Sequence, residues 1–185
     1  MPRLISFMQV SLDGCYADAN GDMSFAHGDD PESAAFMTEN AQAGGVLVFG
    51  RITYEMMASY WPTPLARKNT PEAAASMHRL PKLVFSRTLT HVAWENSRLV
   101  TGNLGEEMRR LKAEGSLDMA ILGSGSLVAA LSAERLIDEY QLVINPVILG
   151  EGKRLFAGVG GRPRLELEAT RRFKNGNVFL RYKAA

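Results

Sequence analysis

Short apolar runs alternate along the chain with amphipathic stretches, and glycines stand at many of the junctions. Leu4 to Leu12 is rich in apolar residues without a helical stripe and ends at Asp13-Gly14, which predicts a buried, central first strand. Residues 18–31 are polar and glycine-bearing, a long loop of the kind that carries function inside a compact domain. Pro31-Glu32 followed by Ala35, Phe36 and Ala43 predicts a helix that Gly44-Gly45 ends, and Val46-Leu-Val-Phe49 predicts a second buried strand. A helix then starts at once, in Gly50-Arg-Ile-Thr-Tyr-Glu55, and continues through Met56 and Met57. Lys82-Leu-Val-Phe-Ser86 reads as a third strand with Arg87 just past its end, and Leu104, Met108 and Leu111 mark a helix that Gly115 stops. Met119-Ala-Ile-Leu122 is a further strand, Gly123-Ser-Gly-Ser126 a turn, and Leu127-Val-Ala-Ala-Leu131 a helix. Tyr140 to Leu149 reads as a strand interrupted by Pro146. Arg164 to Thr170 then pairs with Val178 to Lys183 across Asn175-Gly176, a dipeptide that favours a tight hairpin.

Strands alternating with helices and ending in an antiparallel hairpin imply an α/β fold. The expected form is a three-layer α/β/α sandwich with a mixed, mainly parallel central sheet. One domain spanning residues 1–185 is the simplest organisation, and it is large enough to bury a core without disulfides or metals. The formal net charge of +1 gives no global basic field, so no nucleic-acid partner is expected. Cys15 is the single cysteine, and His27, His78 and His91 lack metal-ligand spacing, so the chain reads as metal-free. No leader and no bilayer-spanning run are expected, which makes a cytoplasmic location the default.

The two strand–glycine–helix junctions, at Gly50 and at Gly123 to Leu127, carry the candidate chemistry. Backbone N–H groups and the positive end of a helix dipole can face an anion there, and glycine lets a phosphate approach closely. Gly123 and Gly125 could equally make a tight connection between packed elements. Asp13 could contact a substrate or only cap the turn before Gly14, and Phe25 could be a ligand contact or a loop residue packed for stability.

Five motifs in order resemble the reductase domain of the bifunctional riboflavin-biosynthesis deaminase-reductase, within the dihydrofolate reductase-like fold. They are Ser11-Leu-Asp-Gly14, Phe49-Gly-Arg-Ile-Thr-Tyr-Glu55, Ser86-Arg87, Gly123-Ser-Gly-Ser-Leu127, and Leu136-Ile-Asp-Glu139 leading into Asn145-Pro-Val-Ile-Leu-Gly150. The resemblance spans nearly the whole chain. It implies NADPH-dependent reduction of a small molecule, with a pterin, a pyrimidine-like ring or a carbonyl compound as substrate. By the same resemblance, Gly50, Arg51, Thr53, Gly123, Ser124, Gly125, Ser126 and Leu127 hold the pyrophosphate, with a cis peptide at Gly123-Ser124. Arg51, and Arg87 beside Ser86, are the candidates for the 2′-phosphate, which needs a cation. The nicotinamide is expected against Leu12, Asp13, Tyr16 and Ala17, and the substrate near Asp13 and Phe25, with Asp13 the candidate catalytic residue. By resemblance, the related domains pair as homodimers through the apolar strand Gln141 to Leu149 and the C-terminal hairpin Arg164 to Lys183, so a homodimer is expected here. Leu165, Leu167, Ala169, Val178, Leu180 and Tyr182 would form the apolar face of that hairpin.

The chain also departs from the pattern. The first loop reads Gly21-Asp-Met-Ser-Phe-Ala-His27 and lacks the Pro-Trp pair of folate reductases. Asp29, Asp30 and Glu32 lie where acids also stabilise a helix start. After the second strand, Gly50-Arg51 replaces the Asp-Asp-Pro segment of the riboflavin-pathway enzyme. Folate and the riboflavin intermediate are therefore both disfavoured, and no side chain stands out as a proton donor. The competing reading is a nucleotide-binding protein of the same fold without turnover.

Overall fold

The computed structural model describes residues 1–26, 30–42 and 45–185, without the side chains of residues 38, 41 and 42. Strands β1 (Leu4–Ser11) and β2 (Cys15–Asp18) come first, followed by a single 3-10 turn at Ser24–Ala26. Helix α1 (Pro31–Gln42), strand β3 (Val46–Gly50) and helix α2 (Arg51–Tyr60) follow, then α3 (Pro64–Asn69) and α4 (Pro71–Arg79). Next come β4 (Lys82–Phe85), β5 (Ser97–Val100), α5 (Leu104–Glu114), β6 (Met119–Ile121) and α6 (Gly125–Ala133). The chain finishes with β7 (Glu139–Asn145), β8 (Gly152–Arg154), β9 (Leu165–Arg172) and β10 (Val178–Ala184). Eight strands form one sheet in the order β5-β4-β3-β6-β1-β7-β10-β9, while β2 pairs with β8 in a separate two-stranded ribbon. Neighbours from β5 to β7 run parallel, and β10 is antiparallel to both β7 and β9. The first strand is central, as its two-sided apolar run predicts.

Around β1, β3 and β4 both faces of this sheet are covered, which is why these strands read as continuous apolar runs, whereas β9 at the edge is exposed. Along β3, Val46 and Val48 pack with Met108 of α5 and with Leu127, Val128 and Leu131 of α6. Leu47 and Phe49 point the other way, to Tyr54 of α2 and Met77 of α4. Phe36 and Met37 of α1 cover Val143 and Phe179 further along the same face. The result is a three-layer α/β/α arrangement with a mixed, mainly parallel sheet and a C-terminal antiparallel hairpin.

Asp30 starts α1 by accepting the backbone N–H of Glu32 at 2.9 Å, and it also accepts the N–H of Asn175 from the hairpin loop at 3.0 Å. Those donors, led by Asn175, hold its carboxyl below the usual range. Glu32 pairs with Arg171 at 3.0 Å. Both acids therefore have structural roles at the helix start, whereas Asp29, and Ala43 and Gly44 at the expected helix end, lie outside the described residues.

The hairpin contains one correction to the expected alternation. Leu167 is opposite Tyr182 but Ala169 is opposite Arg181, so Glu168 is an extra residue in β9. This bulge turns Ala169 to the opposite face from Leu165 and Leu167. Ala169 thus leaves the expected apolar face, on which Leu165 and Leu167 remain exposed.

Lys82 is only 1% exposed, at the start of a central strand. Its Nζ donates to the carbonyl oxygens of His78 (3.0 Å), Leu80 (2.8 Å) and Glu95 (3.1 Å), and it sits 4.4 Å from the Trp94 ring centre. It thereby satisfies carbonyls at the end of α4. Burial lowers its pKa to about 8, against a small opposing effect of Glu95. Between that value and the ordinary lysine range the unfolded chain binds more protons, so stability is expected to rise with pH across that window. The rise is on the order of 3 kcal/mol. Urea unfolding at pH 7.5 and pH 10 checks this, and Lys82→Met should lack the rise.

Candidate active site

Helix α2 begins directly at the end of β3, and α6 begins after a three-residue link from β6, so both helix starts lie at the carboxyl edge of adjacent parallel strands. Strand order there passes from β3 through β6 to β1, the kind of crevice in which open α/β sheets bind ligands. Neither start is capped by a side chain: the N-cap of α2 is Gly50 and that of α6 is Ser124, and neither makes a side-chain cap bond. By contrast, Thr63 caps α3 and Asn103 caps α5. The uncapped helix α4 begins with Pro71, which has no N–H to satisfy.

The two starts face each other. A Cβ on Gly50 would collide with Ser124 Oγ and come within 3.7 Å of Leu127 Cγ. Gly123, at φ +88°, approaches Thr53 so that a Cβ there would meet Thr53 Cγ2 at 3.5 Å. Ser124 Oγ and Ser126 Oγ are 3.1 Å apart. Gly125 opens α6, and a Cβ on it would run into the ring of Tyr16, which is half-buried beside it. The fold therefore gathers Gly50, Thr53, Gly123, Ser124, Gly125, Ser126, Leu127 and Tyr16 into one cradle. The expected cis peptide at Gly123-Ser124 is absent, and no peptide among the described residues is cis. The chain reverses instead through positive φ at Gly123 and at Ser124 (+126°).

Leu127 connects this cradle to a depression of about 370 Å³ formed by Phe85, Ser86, Arg87, Val100, Gly102, Asn103 and Leu104. Ser86 Oγ accepts the N–H groups of Thr88 (3.2 Å) and Leu89 (3.0 Å), which fixes the turn from which Arg87 projects. Arg87 is exposed and makes no ion pair among the described residues. Arg51, also exposed, is tied to Glu55 at 3.1 Å one turn along α2.

The loop after β1 is fastened by Asp13. Its carboxylate accepts Ser11 Oγ at 2.7 Å, the Leu149 N–H at 3.1 Å and the Gly150 N–H at 2.9 Å. The Ser11 bond and these backbone donors lower its pKa to about 2. The ionised carboxylate thereby ties the loop after β1 to the backbone at Leu149 and Gly150. Ala17 is buried in the β2–β8 ribbon opposite Lys153, while Leu12 is 64% exposed at the rim.

A cleft of about 340 Å³ lies on the other side of Gly123, between α1 and α2. Phe7, Met8 and Gln9 of β1 form its floor with Leu122. Met37 and Asn40 of α1 face Met56, Met57 and Trp61 of α2, and Met23 and Ala26 close one end. Phe25 is half-buried in the same 3-10 turn but does not line the cleft. Gln9, Met23, Met37, Asn40 and Trp61 were not readable as site residues, because they come from separate elements and form no local motif. Met56 and Met57 read in the sequence only as the continuation of a helix.

Sheet order, layering and the cradle at the strand ends define the dihydrofolate reductase-like class. Within it, the chain belongs to the RibD C-terminal domain family, whose profile matches residues 2–179. The chain is 31% identical over 181 residues to the uncharacterized protein YyaP of Bacillus subtilis (strain 168), covering 97% of this chain and 94% of the relative. It is similar in structure to a candidate riboflavin biosynthesis protein from Shewanella sp. PV-4, with a TM-score of 0.76, 24% identity and 99% of both chains covered. It also resembles dihydrofolate reductase from Enterococcus faecalis complexed with NADP(H) and RAB-propyl. There the TM-score is 0.68 and the identity 16%, over 98% of this chain and 96% of that one. Among the described residues no helix is long and apolar enough to cross a membrane, and no cluster of His, Cys, Asp and Glu could hold a metal ion.

Proposed function

We propose that the chain is an NADPH-dependent reductase of a small heterocyclic or carbonyl compound. The observation that carries this reading is the pair of facing, uncapped helix starts around Gly50 and Gly123 to Gly125. Free N–H groups at two helix N-termini suit a pyrophosphate, and the bare glycines let Ser124 and the Tyr16 ring pack against them, which brings the two starts together. The depression beside Arg87 would take the adenosine end, with Arg87 on the 2′-phosphate. Tyr16 and the loop that Asp13 anchors would border the nicotinamide, and the cleft beyond Gly123 would take the substrate. A bound nicotinamide supplies a hydride, which with one proton converts a C=N or C=O group to its reduced form and leaves the oxidised cofactor. The proton comes from an acid or from water in this scheme.

The experiment is NADPH oxidation by the purified chain against pterin, pyrimidine and carbonyl compounds. Turnover with any of them supports the reading. Tight NADPH binding with no turnover across the panel favours the second one, a nucleotide-binding protein of the same fold.

A homodimer belongs to the same proposal. Leu167 is 55% exposed and Leu165 36% exposed on one face of β9, the end strand of the sheet, whose free edge a second copy would cover. Light scattering at micromolar concentration should give the dimer mass, and Leu167→Glu should shift it to the monomer. A monomer mass for the unaltered chain contradicts the proposal.

A further inference from the structure

The chemistry of the cleft between α1 and α2 restricts its occupant. No charged side chain lines it among the described residues: its walls are methionines, Trp61, Phe7 and Leu122, with two neutral amides, Gln9 and Asn40. The nearby acids at the start of α1 are engaged elsewhere, Asp30 by backbone N–H groups and Glu32 by Arg171. The two amides differ. Asn40 Nδ2 donates to Gln141 Oε1 at 3.0 Å, whereas Gln9 Oε1 is buried without a hydrogen-bond partner. A buried acceptor of that kind is costly unless a ligand donor satisfies it. Among the described residues, a phosphate or a ring cation would be desolvated by thioethers and an indole with no opposite charge beside it. Methionines adapt to varied flat apolar shapes, and the volume of about 340 Å³ suits a small ring system.

We propose that this cleft selects a neutral, phosphate-free heterocycle whose apolar ring lies among the methionines and Trp61 and whose single N–H donates to Gln9 Oε1. Gln9 is then the specificity-determining residue. As a statement about substrate, this rests on the reductase reading above, but the selectivity can be measured as binding alone.

The test is calorimetric titration of the full chain with quinazolin-4(3H)-one, a neutral bicyclic lactam with one N–H, and with its 3-methyl analogue, which lacks that donor. The analogue should bind about tenfold more weakly, the effect of one hydrogen bond. In Gln9→Leu the two probes should bind within about twofold of each other. Uridine 5′-monophosphate should fail to displace the lactam. Equal binding of the two probes to the unaltered chain overturns the proposal, and that comparison needs no variant to fold. Displacement by uridine 5′-monophosphate, or no lactam binding to a chain that binds NADP+, overturns it too. Lactam selectivity in a chain that does not bind NADP+ upholds this inference and rejects the cofactor reading, so the two failures are distinct.

Discussion

Gly125→Val is expected to weaken NADPH binding at least about a hundredfold, roughly 2.7 kcal/mol, while the chain still unfolds cooperatively. Gly125 is the first residue of α6, beside an N-cap that offers no side-chain bond, so its N–H group is one of those available to the pyrophosphate. An isopropyl group there would collide with the ring of Tyr16 and force it to move within the cradle. The fold should tolerate the change because Tyr16 is only half-buried at the mouth of the site, while α6 is held by Val128 and Leu131 beneath. Fluorescence titration with NADPH, together with urea unfolding, separates loss of binding from loss of fold. A folded variant that binds NADPH normally would return the glycine turn to a purely structural role.

The second large effect concerns the choice of cofactor. Arg87→Ala should remove roughly 1.5–3 kcal/mol from NADPH binding, the scale of a charge-assisted hydrogen bond, and leave NADH binding nearly unchanged. We favour Arg87 over Arg51 for this role. Arg51 already has Glu55 at 3.1 Å, and a 2′-phosphate would compete with that carboxylate for it. Arg87 lines the depression next to the cradle on a turn that Ser86 holds. Arg51→Ala should therefore cost less. Equal binding of NADH and NADPH to the unaltered chain would mean that neither arginine serves a 2′-phosphate.

What was legible in the chain follows from where burial imposes a pattern. The runs Leu4 to Leu12, Val46 to Phe49 and Lys82 to Phe85 stand out because each strand is covered on both faces, and Leu104 to Glu114 matches its predicted helix because Met108 and Leu111 face one core. The helices Pro64–Asn69 and Pro71–Arg79 are obscured by their prolines, which read as breaks although both sit at the first helical position. The strands Cys15–Asp18 and Gly152–Arg154 are too short to show alternation and exist because each pairs with the other across the chain. The bulge at Glu168 breaks the period-2 reading of the hairpin without leaving a glycine to announce it. The cradle was readable because glycine and helix start are adjacent in sequence at both junctions. The cleft was not, because Gln9, Met37 and Trp61 meet only when three elements pack together.

The central claim is that two facing helix starts hold a dinucleotide pyrophosphate, and the most direct measurement is a crystal structure of the chain with NADP+. Pyrophosphate oxygens are expected within hydrogen-bond distance, about 2.7–3.2 Å, of backbone N–H groups at the starts of both α2 and α6. The 2′-phosphate is expected at Arg87 and the nicotinamide beside Tyr16. A dinucleotide bound away from Gly50 and Gly125, or a chain that takes up no NADP+ at saturating concentration, would contradict the claim.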